Sequence, residues 1–186
     1  MDTVSALLAL PLIAGVSVVL LVLNPFFNPG PLFYRQERMG LGGKRFRMWK
    51  FRTMVPCDTM VRGAHDPVED DRITPLGRIL RRLRIDELPN FVNVLRGEMS
   101  LVGPRPDAWE HASRYIDTVP YYHDRFRVRP GITGLAQIRS GYADNWRAVE
   151  RKARLDRHYV RRSRGRLELY IILATMTVVL TGAGAK

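Results

Sequence analysis

The chain has no lysine or arginine before Arg35, and only Lys186 follows Arg166. Contacts with a polyanion must therefore come almost entirely from its middle. A single cysteine, Cys57, excludes an internal disulfide, and its neighbours lack the spacing of a zinc site. Such usage fits a reducing, cytoplasmic setting. No internal repeat or low-complexity tract is present. The start, Met1-Asp2-Thr3, lacks the basic residues of a secretory signal peptide.

What is present is a strongly basic protein of 186 residues with net charge +12 and a pI near 10.6. That length suits one domain, or one domain with a membrane element. The charge favours nucleic acid, an anionic membrane or phosphorylated substrates as partners. It lies between two apolar ends. Val4 to Leu23 carries no charged side chain and matches the roughly 20 residues that cross a hydrocarbon core as a helix. Composition alone favours a plain span. Pro11 complicates it, because an internal proline removes one helical hydrogen bond and permits a sharp bend. The Lys/Arg cluster beginning at Arg35 places the following domain on the cytoplasmic side.

The stretch from Asn24 to Pro31 is rich in Pro and Gly and is expected to end the membrane element. Leu32–Tyr34 and Lys44–Met54 read as extended segments joined by a turn at Gly40-Leu41-Gly42-Gly43. Basic and aromatic residues interleave there, a pattern that binds nucleic acid. A half-buried hairpin with a solvated basic face is the preferred reading. Residues 56–71 are polar and aperiodic, hence a loop. Thr74-Pro75 is a helix start, with Thr as N-cap and Pro in the first helical position. Leu76, Ile79, Leu80 and Leu83 follow as one apolar stripe. A second helix is expected near Asp86, with Gly97 as its stop. Gly103-Pro104-Arg105-Pro106 must be a stiff loop.

Candidate chemistry concentrates at Asp86-Glu87. A helix N-terminus there favours the ionised carboxylate. An ionised carboxylate attacks phosphorus or binds Mg²⁺ through oxygen. Arg81, Arg82, Arg84 and Arg105 are close in sequence and suit phosphate through forked hydrogen bonds. The same residues also read as an ordinary helix cap with paired arginines. Physical reasoning on an isolated Asp-Glu pair favours that plainer reading.

The longer strings change the balance. Asp70-Asp71-Arg72-Ile73-Thr74-Pro75-Leu76-Gly77-Arg78 leads to Asp86-Glu87-Leu88-Pro89-Asn90 and on through Asn93 to Gly103-Pro104-Arg105-Pro106. Gly30 to Arg38, Lys50 to Met54 and Arg129 to Gln137 keep one order with them, and Leu155-Asp156 is a weaker last match. Over nearly its whole length the chain resembles the bacterial sugar transferase family, the monotopic polyprenyl phosphate phosphoglycosyl transferases. The resemblance implies that Asp86 is the nucleophile. It would attack the sugar-linked phosphate of a UDP-sugar, release UMP and carry the phosphosugar to undecaprenyl phosphate, with Mg²⁺ as cofactor. Glu87 is implied to place the metal or steer the acceptor. Arg105, Arg81, Lys50 and Asp156 match polar positions around the family's site. After Gln137 the chain reads Ile138-Arg139-Ser140-Gly141-Tyr142 where relatives often carry an Asn-Gly-Arg-Asn-like stretch, which leaves Arg139 as the replacement arginine.

The resemblance also implies a re-entrant N-terminal helix, broken at Pro11, that dips into one leaflet. Leu10 stands where many relatives have Ser, and their N-terminal basic cluster is absent, which points to missing first residues. Leu167–Leu180 is too short to span and is a core or interfacial helix. Arg161, Arg162, Arg164 and Arg166 precede it, each worth about 1 kcal/mol beside anionic lipid. The expected fold is α+β: a small, mostly helical, membrane-associated domain with a short β-hairpin and interfacial amphipathic helices. Residues 1–24 are the membrane element and 25–186 the cytoplasmic catalytic domain. The expected place is the cytoplasmic face of the bacterial inner membrane. Partners are the two substrates, an anionic membrane surface and other glycan-assembly enzymes, with no nucleic acid. Two rival classes are a membrane-anchored nucleic-acid-binding protein and a non-catalytic scaffold.

Overall fold

A computed structural model of the chain describes residues 1–56, 70–140, 145–162 and 165–181. Cys57, the body of the loop after Pro56, Gly141-Tyr142 and Arg164 lie outside the described residues. The unbroken apolar run at the start forms one helix, α1 (Asp2–Phe27), of 26 residues, about 39 Å long at 1.5 Å per residue. It is the one helix among the described residues long and apolar enough to cross a membrane. It continues through both Pro11 and Pro25, three residues past the expected end at Asn24. Each proline ring removes one N–H, leaving the carbonyls of Leu7 and Leu21 without their helical donors. Ser5 does not serve the Pro11 gap: its hydroxyl donates to Met1 O at 3.0 Å.

Ala6, Ile13 and Leu20 are buried at seven-residue spacing, so one narrow seam of α1 docks on the body. Ala6 packs with Phe46, Met48, Val94 and Met99; Ile13 and Leu20 pack with Phe51 and Leu80. The other faces stay open, with Leu8 75%, Val22 64% and Phe26 78% exposed. Both ends of the helix are tied to the body. The Asp2 carboxylate accepts from Ser100 Oγ at 2.9 Å and Leu101 N at 3.2 Å. At the other end Asn28 closes the helix through its N–H to Asn24 O. Its side chain donates to Arg52 O at 2.9 Å and accepts from Thr74 Oγ1 at 3.0 Å.

The expected hairpin is present as β1 (Phe33–Met39) and β2 (Arg45–Phe51), antiparallel with Tyr34 opposite Lys50. Its interleaved arginines stack on rings of this chain: Arg35 lies 4.8 Å from the Trp49 ring centre and Arg45 4.1 Å from that of Trp109. Thr74 caps α2 (Pro75–Arg82) by accepting from Gly77 N at 3.0 Å. The apolar stripe of α2 divides. Leu80 is buried and Leu76 packs beside it, whereas Ile79 and Leu83 are 56% and 52% exposed. An apolar groove of about 450 Å³ runs between α1 and α2 from Pro11 to Ile85.

The second helix of the sequence reading starts later than expected. Asp86 lies in a single 3-10 turn, Ile85–Glu87, and α3 (Asn90–Leu95) begins four residues on. A second, parallel two-stranded sheet, absent from the sequence reading, pairs β3 (Ser100–Val102) with β4 (Gly131–Thr133). The strands approach so closely that a Cβ on Gly131 would lie 2.1 Å from Gly103 N. Helices α4 (Trp109–Thr118), α5 (Leu135–Ser140), α6 (Trp146–Arg162) and α7 (Gly165–Thr181) complete the α+β fold. Ile171 of α7 is buried with Val102, Leu135 and Tyr159, while Leu169, Leu173 and Met176 are exposed.

Candidate active site

Three elements bring the acidic pair and its cations together. Asn93 of α3 docks on β2: its Oδ1 accepts from Trp49 N at 3.0 Å and its Nδ2 donates to Arg47 O at 2.8 Å. That dock places Lys50 beside the 3-10 turn. Lys50 Nζ lies 2.9 Å from Glu87 Oε1 and 3.8 Å from Asp86 Oδ2. Arg105 takes Glu87 in a forked grip, with Nη1 donating to Oε2 at 3.1 Å and Nη2 to Oε1.

The loop carrying Arg105 is held at four successive carbonyls. Gly131 N donates to Pro104 O at 3.0 Å, Arg125 Nη2 to Arg105 O, Arg38 Nη1 to Pro106 O at 2.9 Å and Met39 N to Asp107 O at 3.3 Å. Two prolines leave the loop few N–H groups of its own to satisfy. Behind it sits a buried charge network. Asp107 accepts from Tyr122 OH at 2.6 Å and pairs with Arg125 and Lys152. Arg125 also pairs with Asp156 at 3.1 Å.

Electrostatics separates the two carboxyls. Burial pushes Glu87 up, but Arg105 and Lys50 together outweigh it and hold the group well below the ordinary carboxylate value. Glu87 is therefore a fixed anion. Burial raises Asp86, Lys50 opposes that rise and the Glu87 charge adds to it. The expectation that a helix terminus favours ionised Asp86 is thus reversed, because the residue is 7% exposed and precedes α3 rather than capping it. Burial likewise lowers Lys50, and Glu87 counters part of that. No hydrogen bond from the described residues ends on Asp86; its nearest charged partner is Lys50 at 3.8 Å. Among the described residues its carboxylate is left open to a ligand.

Of the residues read from sequence, Lys50, Asp86, Glu87 and Arg105 come together. Arg81 is near enough to lower Asp86 slightly and is oriented by Thr53, whose Oγ1 accepts from Nε at 2.9 Å. Asp156 is brought instead into the network behind Arg105. Arg139 is exposed at the end of α5, 5.9 Å from the Tyr170 ring centre. Sequence reasoning missed Arg38, Asp107, Tyr122, Arg125 and Lys152. The only local signal was Asp107 following the Pro-Arg-Pro loop.

No group of three or more His, Cys, Asp or Glu side chains among the described residues forms a metal cage. Both Glu87 oxygens are engaged by cations, which leaves Asp86 as the open carboxylate of the pair among the described residues. Such a donor set fits Mg²⁺ carried mainly by substrate phosphates and water, as Mg²⁺ commonly is.

The chain matches the family described as bacterial sugar transferase over residues 1–182, and it belongs to that family. It is 40% identical over 183 residues to a UDP-glucose:undecaprenyl-phosphate glucose-1-phosphate transferase of Caulobacter vibrioides, covering 97% of this chain and 68% of that protein. It is 38% identical over 187 residues to a UDP-N-acetylgalactosamine-undecaprenyl-phosphate N-acetylgalactosaminephosphotransferase of Aeromonas hydrophila, covering 100% of this chain and 44% of that protein. It is 39% identical to the exopolysaccharide production protein PSS of Rhizobium leguminosarum bv. phaseoli, covering 97% of this chain and 93% of that protein. The chain thus spans less than half of the Aeromonas relative and about two thirds of the Caulobacter one.

Proposed function

We propose that this chain transfers a sugar-1-phosphate from a UDP-sugar to undecaprenyl phosphate, opening exopolysaccharide or glycoconjugate synthesis. The observation that carries the reading is a buried Asp86 whose carboxylate accepts no hydrogen bond from the described residues, beside a Glu87 held by Lys50 and Arg105. The relatives' activities support it.

In the first step an Asp86 oxygen attacks the sugar-linked phosphorus. The bond to the bridging oxygen breaks, and UMP leaves with the electron pair. In the second step an oxygen of the carrier phosphate attacks the same phosphorus, and the Asp86 carboxylate leaves unchanged. Two displacements in series give ping-pong kinetics. Glu87 holds Lys50 and Arg105 where they face the diphosphate, and Arg81 adds a further cation. Asp86 is the residue that would touch Mg²⁺ arriving on the diphosphate. When bound, the ion offsets phosphate charge and stabilises the departing UMP.

In this reading α1 attaches the protein to the membrane. Asp2 and Asn28, at its two ends, are both bound to the catalytic body. A helix held that way lies in one leaflet with both ends on the cytoplasmic side, whereas a plain span would release Asp2. The open faces of α1 and the outer face of α7 supply the apolar contact with the inner membrane. A screen for UMP release against a panel of UDP-sugars, with undecaprenyl phosphate and Mg²⁺, tests the reading; silence across the panel would defeat it.

A further inference from the structure

Glu87 faces two different environments. On one side stand Lys50 and Arg105. On the other is a separate cavity of about 130 Å³ that neither of those cations lines. Arg84, Glu87, Thr133 and Gln137 form its polar part; Leu88, Phe91, Ile132 and Ile138 are among its apolar walls, and α7 closes it through Thr175 and Val178. Gln137 Oε1 is buried without a hydrogen-bond partner among the described residues. Arg84 is held at φ 58°, in the left-handed region where a non-glycine residue is strained. Among the described residues no ion pair or hydrogen bond engages its guanidinium. The strained turn therefore delivers a cation that no described residue pairs into a largely apolar chamber next to the acidic pair.

We propose that this cavity is the acceptor subsite, in which Arg84 binds the phosphate of the polyprenyl carrier and the apolar walls hold its first isoprene unit. The inference rests on the transferase reading above and adds to it a place for the second substrate. A UDP-sugar is polar throughout and suits the face with Lys50 and Arg105. A prenyl phosphate carries one anionic head on an apolar chain, which matches Arg84 set among aliphatic and aromatic walls, the Glu87 charge at their edge being offset by Lys50 and Arg105. The volume fits: a cavity of roughly 150 Å³ holds one benzene-sized group, close to a five-carbon unit. The wall built by α7 adjoins the exposed apolar stripe Leu169, Leu173 and Met176, so a lipid-borne chain reaches the cavity from the membrane side. The groove between α1 and α2 has no charged residue in its lining and offers nothing to a phosphate.

The test separates the two half-reactions. Arg84→Gly removes the guanidinium and relieves the left-handed strain, so its melting temperature should not fall. Its KM for undecaprenyl phosphate should rise about tenfold or more, the size of one lost charge-assisted bond. Phosphosugar loading and the UMP burst from UDP-sugar alone should stay as in wild type. Arg84→Lys should recover most of the carrier KM, and Ile138→Phe should raise it by filling the chamber. A carrier KM unchanged within about twofold in both Arg84→Gly and Ile138→Phe would overturn the proposal. So would loss of loading in Arg84→Gly, which would place Arg84 on the donor. If wild type loads no phosphosugar from any UDP-sugar, the transferase reading itself fails, and this subsite with it.

Discussion

Asp107→Asn should cost the fold more than any other conservative change behind the active site. Asp107 accepts from Tyr122 and pairs with both Arg125 and Lys152, and only Asp156 adds a second anion. The amide leaves two buried cations sharing one carboxylate. Breaking a buried ion pair by removing one partner costs about 3–5 kcal/mol. For a protein of this size each kcal/mol moves the melting temperature by about 2–4 °C, so the expected drop is about 6–20 °C, read by circular dichroism in detergent. Burial raises the Asp107 carboxyl, but Arg125 and Lys152 lower it far more, leaving it below the ordinary value of 3.8. A folded pKa below the unfolded one gives stability that is complete above about pH 4 and lost as the pH falls through the folded value. The gap between wild type and variant should therefore hold at neutral pH and narrow under acid. Adding Lys152→Met should recover part of the loss by removing one stranded cation. A drop of under about 2 °C, or no recovery in the double variant, would refute the network as a support of the Arg105 loop.

Other expectations concern the site and its attachment. Because burial raises Asp86 and the carboxylate must be ionised to attack, kcat/KM for the UDP-sugar should fall on an acid limb lying above pH 3.8. Lys50→Met should move that limb further up, since Lys50 lowers Asp86, and a limb that stays put would contradict the pairing. Excess EDTA should stop UMP release and added Mg²⁺ should restore it; undiminished turnover in EDTA would remove the metal from the account. A Thr3→Cys variant in a Cys57→Ser background should react with an impermeant maleimide only after the inner membrane is opened. Labelling from the periplasmic side of intact spheroplasts would show that Asp2 is not held against the body.

The parts of the site legible in the sequence are those set by near neighbours. Thr74-Pro75 announced the cap of α2, the glycines at 40, 42 and 43 announced the hairpin turn, and the Pro-Arg-Pro string announced a rigid loop. Asp86, Glu87, Arg105 and Lys50 were named from motifs, and they meet in space. What stayed hidden depends on distant pairing. Lys152 meets Asp107 across 45 positions and Asp2 meets Ser100 across 98, and no periodicity encodes either. The docking seam at Ala6, Ile13 and Leu20 was invisible because every face of α1 is apolar. The state of Asp86 was misjudged for a related reason: one 3-10 turn, started by left-handed Arg84, buries the carboxyl before α3 begins.

The central claim is that Asp86 carries the phosphosugar. Incubating the purified protein with Mg²⁺ and a turned-over UDP-sugar, without carrier, followed by peptide mass spectrometry, tests it directly. The account predicts one phosphosugar added to the peptide containing Asp86, released on addition of undecaprenyl phosphate and absent from Asp86→Asn. An Asp86→Asn protein that still releases UMP at the wild-type rate, or an adduct on another residue, would contradict it.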